Sequence, residues 1–504
     1  MNILKYNLRF LLFVAVITLL YGVLFVFSDF YGTPYGNGKD LLILTSHWLI
    51  IEIAVFGLLW LLAVNKYVFA IFFPVLTVLC TVYAYFRYTA NVVFTAMTIE
   101  LALVNDLRTD MDVITWQLVL LMLLALVASV FIVCYRWKKI RISHSWLHML
   151  LSVVLFYVPS HVYPLARPVV NRVPFCLYEA VKSYVDNKNE IKSERPDFKG
   201  TSVCHSDSLT VVFVLGESLR SKNLQINGYK RETTPLLCSE KNVVSYPNIY
   251  TEYAFTHNSV PHIMTRSDRK DPDKAYRERS FISLMRKTGY HTAWIANQEP
   301  ANTFTYFLGE CDTLIYANSG KSMYVFDEWL DGDLLPHFDS ILKRQESRQF
   351  ILLHTIGSHW YYNSHFTPEY TRYKPLIRSR VIGSNTEEEM RNSYDNTILY
   401  SDYFWHELIR QLKNRCAILF YLSDHGECLG EDGFFTHGSD HPELHKPACF
   451  VWYSEQFAAR YPEKVSHLKD NKDKKYDSTF MFHSILDAAD ISSPYIDPSS
   501  DILK

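Results

Sequence analysis

The sequence has little net charge of either sign: across 504 residues, 50 Lys and Arg face 52 Asp and Glu, a formal net charge of −2 at pH 7. Without a global basic field the chain carries no electrostatic footprint for nucleic acid, and no such partner is expected. Neither a heptad pattern nor an internal repeat runs through it, which excludes coiled coils and solenoids and leaves a monomer as the expectation. The first apolar run follows Lys5 and Arg9 but has no small-residue cleavage site behind it, so it reads as a retained span rather than a removed signal peptide. Cysteine is scarce, with 9 residues in all. The later ones, Cys176, Cys204, Cys238, Cys311, Cys416, Cys428 and Cys449, form an odd set, so at least one is unpaired and their pairing is not legible from order alone.

Apolar residues are abundant instead, at 49% of the chain with 15% aromatic, and they are unevenly spread. Five segments, 8–27, 41–64, 67–85, 114–134 and 146–162, have the composition of bilayer spans of about 17–25 residues. The loop "YRWKKIRISH" (135–144) carries Arg136, Lys138, Lys139 and Arg141, and Lys5, Arg9 and Lys66 fall on the same side if the spans alternate. That side is the cytoplasmic one by the positive-inside rule, and an odd number of spans exports everything after residue 162. The lone acid within a span, Glu52, is expected in the bundle interior or snorkelling to its rim, with no chemistry assigned. The organisation expected is a five-helix transmembrane domain at 1–162, a connector along the membrane surface at 163–200, and an exported catalytic domain at 201–504. Prolines break the start of the connector, "YPLARPVVNRVP" (163–174). Between the third and fourth spans, "NVVFTAMTIELALVNDL" (91–107) reads as helix outside the membrane.

From Leu209 onward short apolar runs alternate with helix-like stretches. "LTVVFVL" (209–215), "TAWIA" (292–296), "FILLHT" (350–355) and "AILFYL" (417–422) read as buried strands. "SFISLMRKTG" (280–289) and "YDNTILYSDYFWHELIRQLKN" (394–414) repeat apolar residues at helical spacing. Such alternation predicts an α/β domain with a mainly parallel central sheet, whose chemistry sits at the carboxyl ends of the strands. Those ends carry the unusual residues: Glu217 and Arg220 after the first run, His359 after the third, Asp424 and His425 after the fourth. Carboxylates and imidazoles suit Zn²⁺ or Mn²⁺, whereas a purely structural zinc site favours paired cysteines. In "SDHGE" (423–427), Glu427 is a supporting carboxylate and Gly426 a tight-turn residue. A hydroxyl nucleophile is available from Thr251, Thr256 or Ser259 in "TEYAFTHNSVP" (251–261).

Taken together, "GESLRSKNLQINGYKRETTP" (216–235), "THNSVP" (256–261), "HTIGSH" (354–359) and "SDHGECLGEDGFFTHG" (423–438) resemble the membrane-bound phosphoethanolamine transferases of the alkaline phosphatase and sulfatase superfamily. The resemblance covers nearly the whole chain. It implies five membrane helices followed by an exported alkaline phosphatase/sulfatase-like domain, in the inner membrane with the catalytic domain in the periplasm. It makes Glu217, Asp424 and His425 metal ligands, and the T-x-x-S-V-P match makes Thr256 fourth ligand and nucleophile. It gives His359 and His437 to the transferred group or a second metal, and Asn297 of "WIANQ" (294–298) to the ethanolamine phosphate. The implied reaction moves phosphoethanolamine from phosphatidylethanolamine, through a phospho-threonine, to lipopolysaccharide core, lipid A or another envelope glycan.

Two departures from the family stand out: Glu252 and His262 occupy the positions where many members flank the nucleophile with a disulfide, and "WIANQ" is nearer the branch that modifies the saccharide core. A glycerol-phosphate transferase of the lipoteichoic acid synthase type shares spans, threonine and metal, but "GYKRETTP" is not expected there. A sulfatase is disfavoured because Ile263 stands where the Cys/Ser-x-Pro-x-Arg signature needs arginine. A non-catalytic membrane sensor or scaffold would have no use for the full set of site residues.

Overall fold

The computed structural model describes residues 2–104, 114–301, 303–322, 326–344, 346–437 and 440–504. They form two compact units, one of residues 1–185 with 320–325 and 379–384, the other of 186–319, 326–378 and 385–504.

The first unit is helical. Among the described residues its α-helices up to His161 are α1 (Asn2–Leu24), α2 (Gly38–Val64), α3 (Lys66–Ala90), α4 (Ala96–Val104), α5 (Trp116–Lys139) and α6 (Ser145–His161). Asparagine side chains start α2 and α3: Asn37 accepts from Lys39 and Asp40 N–H, and Asn65 from Tyr67 and Val68 N–H. Among the described residues four helices are long and apolar enough to cross a membrane, Leu4–Asp29, Gly38–Val64, Lys66–Ala90 and Trp116–Lys139. The expected fifth span is helical in the expected place, but α6 has only 17 residues, with Pro159 in its final turn, and falls short of the other four. Outward faces such as Leu12, Val16, Leu19 and Leu20 of α1 are exposed and apolar, as a lipid-facing surface requires. Glu52 faces inward, 7% exposed, with its carboxylate packed where Gly22 leaves room. The stretch between the third and fourth spans contains α4 as expected, while its last residues, 105–107, lie outside the described residues.

The second unit is built on a seven-stranded sheet. Its strands are β1 (Leu209–Gly216), β2 (Val243–Ser245), β3 (His291–Ala296), β4 (Thr313–Tyr316), β5 (Arg348–His354), β6 (Ala417–Ser423) and β7 (Cys449–Tyr453). In space they run β2-β7-β6-β1-β5-β3-β4. The four strands expected from sequence, β1, β3, β5 and β6, are mutually parallel and central, and β4 joins them in parallel. Strand β7 runs antiparallel to both neighbours, β6 and β2. Every residue of β1 and β6 is buried, as in a sheet covered on both faces, and this explains their unbroken apolar runs.

Helices cover the sheet. The stretch 280–289 forms the helix Phe281–Lys287, started by Ser280, which accepts from Ile282 N–H. The stretch 394–414 belongs to a longer helix, Glu387–Leu412, that begins earlier than its apolar pattern does. Thr386 caps it, bonding reciprocally with Glu389, and Glu387, Glu388 and Glu389 line the positive end of its dipole. All nine cysteines are free thiols.

Phe281 joins helix to sheet: its ring lies 5.6 Å from Phe350 and 6.3 Å from both Phe213 and Phe482, and none of it reaches solvent. Phe281→Ala removes this contact and leaves a cavity. The expected cost is about 3–5 kcal/mol, read as a lower unfolding midpoint of the intact protein in denaturant.

Candidate active site

Strand register assembles the site. Gly216 of β1 lies opposite Ser423 of β6, and Leu215 opposite His354 of β5, which is also opposite Ala296 of β3. Four strands therefore finish level with one another, and the residues just beyond them emerge together: Glu217, Thr355 to His359, Asn297 with Gln298, and Asp424 with His425. A hydrogen bond of 3.0 Å from Asp424 N–H to Gly216 C=O locks the first and last of these ends together.

Glu217, Asp424 and His425 bring their ligand atoms within 4.8 Å of one another, and all three are buried. His425 Nε2 stands 3.5 Å from Glu217 Oε1 and 3.5 Å from Asp424 Oδ2. That is too long for a hydrogen bond. It is close to the spacing of tetrahedral ligands that each sit about 2.0–2.2 Å from one zinc ion. Orphaned atoms point the same way, because Asp424 Oδ2 and His425 Nε2 are buried without a hydrogen-bond partner. The imidazole is oriented by its other nitrogen: Nδ1–H donates to Gly426 C=O at 2.7 Å, so Nε2 presents its lone pair to the cluster. Burial first, and then the neighbouring charge of Glu217, push the Asp424 carboxyl well above its ordinary range. A divalent cation relieves that repulsion, and the donor set of two carboxylates and one imidazole fits such an ion.

Thr256 completes the group. It is half-buried at the first position of the helix Thr256–Met264, and its Oγ1–H donates to Glu217 Oε2 at 2.9 Å. Thr251 is fully buried and hydrogen-bonded to its own loop at Tyr253, and Ser259 donates to Asp424 C=O at 2.6 Å, so neither alternative hydroxyl is presented as Thr256 is.

The two further histidines expected at the site lie close by. The His437 ring is 4.8 Å from that of His425 and 6.1 Å from that of His359. His437 Nδ1 is 3.4 Å from Glu427 Oε2, which puts Glu427 behind that histidine, and His359 Nδ1 is buried without a partner. Gly438, the last residue of the motif, lies outside the described residues.

Asn297 does not join them, contrary to the expectation that it contacts the ethanolamine phosphate. Its Nδ2 donates to Asp331 Oδ1 and Leu330 C=O, and its Oδ1 accepts from Asn318 and Trp329, so its hydrogen-bonding capacity is spent inside the protein. The next residue, Gln298, reaches the cluster instead, donating to Glu217 Oε2 at 3.0 Å and to Thr355 C=O at 2.6 Å. Sequence reasoning passes over Gln298, although it sits at the end of an expected strand. Ser218 is missed as well. It adopts φ 55°, donates Oγ–H to Glu217 Oε1 at 2.7 Å and offers its N–H to Asp424 Oδ1 at 3.1 Å.

Two glycines allow the close approach. Gly357 has φ 51°, and a Cβ there would stand 2.6 Å from Glu217 C=O. Gly426 is needed for space rather than for a tight turn, since a Cβ would land on the Glu443 carbonyl, and its own N–H donates to Leu444 C=O at 2.7 Å. Arg220 orders the surrounding loops: it donates to Asn223, Glu427 C=O and Glu431 and does not reach the cluster.

Comparison with known proteins agrees with this arrangement. Residues 210–491 match the sulfatase family. Phosphoethanolamine transferase EptA of Escherichia coli strain K12 is 29% identical over 311 residues, covering 58% of this chain and 55% of that protein. The chain spans about half the length of the curated relatives it matches. The crystal structure of the C-terminal periplasmic domain of EptC from Escherichia coli in complex with Zn is 25% identical with a TM-score of 0.56, covering 62% of this chain and 90% of that one. The integral membrane protein lipooligosaccharide phosphoethanolamine transferase A from Neisseria meningitidis shares the fold over 97% of each chain, with a TM-score of 0.55 and 21% identity. With more than half of its length matched by one family model, the chain belongs to the sulfatase family.

Proposed function

We propose that the protein transfers phosphoethanolamine from phosphatidylethanolamine to an exported glycolipid, lipopolysaccharide core or lipid A, through a covalent adduct on Thr256. The observation that carries this reading is the Thr256 hydroxyl, 2.9 Å from Glu217 Oε2 beside the buried Glu217, Asp424 and His425 group. The relatives named phosphoethanolamine transferases support the choice of transferred group.

Glu217, Asp424 and His425 would hold a zinc ion, with manganese as the alternative, and Thr256 would be its fourth ligand. Such a cation supplies the positive charge that makes the threonine hydroxyl easier to ionise and lets a phosphate approach two carboxylates. The remaining work falls to the chain itself. Glu217 Oε2 holds Thr256 Oγ1 in place at the first position of a helix, the end whose dipole favours an incoming phosphate. In the first half-reaction a bond forms between Thr256 Oγ1 and phosphorus while the bond from phosphorus to the diacylglycerol oxygen breaks, and the hydroxyl proton ends on diacylglycerol. In the second, a hydroxyl or phosphate oxygen of the acceptor attacks the same phosphorus, and Thr256 Oγ1 leaves and regains a proton. His359 and His437 are placed to hold the transferred group or a second metal. A donor lipid explains the apolar helices. On this reading α6 is a fifth and shortest crossing, and the catalytic unit lies on the periplasmic side of the inner membrane.

Thr256→Ala is expected to keep the fold and the metal but to form no adduct; incubation with phosphatidylethanolamine followed by peptide mass spectrometry checks this, and an adduct on another residue refutes the assignment. Asp424→Asn and His425→Ala are each expected to lower the metal content of the purified protein, measured by elemental analysis, and to reduce transfer by about 10³-fold or more. Cells carrying the intact protein should yield an envelope glycolipid heavier by one phosphoethanolamine than cells with the Thr256→Ala form, and fragmentation would locate the acceptor.

A further inference from the structure

A groove of about 450 Å³ opens in the second unit, lined by Tyr250, Arg269, Lys446, Lys475, Tyr476 and Asp477 among others. Two short strands form its floor, Ile249–Tyr250 and Tyr476–Asp477, paired in parallel. Its walls continue into the catalytic loops. The Lys446 carbonyl accepts from Ser221 N–H at 3.0 Å, just beyond the Glu217 turn. His445 stacks on Tyr250 with ring centroids 5.4 Å apart, and its Nδ1 bonds Thr251 C=O at 2.8 Å. From Tyr250 the chain reaches Thr256 within a fully extended span of at most ~20 Å.

The lining combines three kinds of group. Arg269, Lys446 and Lys475 supply positive charge. Lys475 is exposed and has no ion pair among the described residues, Arg269 makes an exposed pair with Glu252 that an incoming anion displaces at little cost, and Lys446 pairs with the half-buried Glu443. Tyr250 and Tyr476 supply ring faces. Asp477 brings a carboxylate whose Oδ1 accepts one hydrogen bond from Thr479 N–H at 3.1 Å and keeps a second lone pair, while its Oδ2 is buried without a partner.

We propose that this groove binds the phosphorylated sugar of the acceptor, with the phosphate on Arg269, Lys446 and Lys475, the ring against Tyr250 and Tyr476, and a sugar hydroxyl on Asp477. The proposal rests on the two-step transferase reading. The donor lipid also carries a phosphate, but its headgroup has neither a ring to lie against Tyr250 and Tyr476 nor a hydroxyl. A sugar phosphate uses every kind of group the groove offers.

The test uses the full chain in detergent micelles, with two measurements made on the doubly substituted Arg269→Ala/Lys475→Ala protein and on Tyr250→Ala. The first is the rate at which fluorescent phosphatidylethanolamine labels Thr256. The second is the acceptor KM, using a phosphorylated glucosamine disaccharide lipid. Both substituted proteins should be labelled at the unsubstituted rate, with the acceptor KM of the double variant raised about tenfold, as expected when roughly 1.4 kcal/mol of binding is lost. Glucosamine 1-phosphate should compete with the acceptor without slowing labelling, and inorganic phosphate should compete far less. An unchanged acceptor KM overturns the groove assignment, and slowed labelling overturns it too by giving the groove to the donor. If the unsubstituted protein is never labelled, the two-step reading fails and takes this proposal with it; normal labelling with an unchanged KM defeats the groove alone.

Discussion

Two carboxylates that repel each other are the constraint around which the second unit is arranged. Glu217 and Asp424 are both buried, and the strands that carry them are pinned level by the bond from Asp424 N–H to Gly216 C=O. Neither side chain can retreat into water, so the pair is tolerable only with positive charge or donors around it. The surroundings supply donors to part of each carboxylate: Ser218, Thr256 and Gln298 to Glu217, and the Ser218 and His425 backbone to Asp424. One oxygen of Asp424 and one nitrogen of His425 are left over, and they face a common point. The site is thus prepared for a cation before one arrives, by the same sheet register that gives the domain its core.

Much of this arrangement is legible in the sequence because parallel strands announce themselves. Their apolar runs are short and unbroken, and the residues immediately after each run must lie at one edge of the sheet. Hence Glu217, Asp424 and His425 are recoverable although 206 positions separate Ser218 from its partner Asp424. The antiparallel strand β7 and the three-residue β2 escape notice, since a short strand carries too little pattern to stand out from a loop. The start of the long helix at Glu387 is hidden for a different reason: its first turns are fixed by the Thr386 and Glu389 cap and by acids, with apolar periodicity only further on.

The misreadings at the site share a cause. Asn297 and Gln298 are adjacent amides at a strand end, and composition cannot tell which of them points toward the chemistry. The bend after Ala296 decides it, sending one residue into the protein and the next to the cluster. Gly426 is similarly readable as a glycine that matters, but its reason, the Glu443 carbonyl lying where a side chain would be, belongs to a distant loop. The fifth apolar segment shows the limit of composition in the helical unit. Its residues are apolar enough, and Pro159 at its end decides how far the helix runs.

Asn297, engaged away from the Glu217 cluster, does something else. Its amide joins Asn318 to Trp329, Leu330 and Asp331. Asp331 then passes the connection on, accepting from the N–H groups of Ile356 and Gly357 just ahead of His359. A substitution at Asn297 would therefore loosen the backbone just ahead of His359 without removing any group from the Glu217, Asp424 and His425 cluster itself.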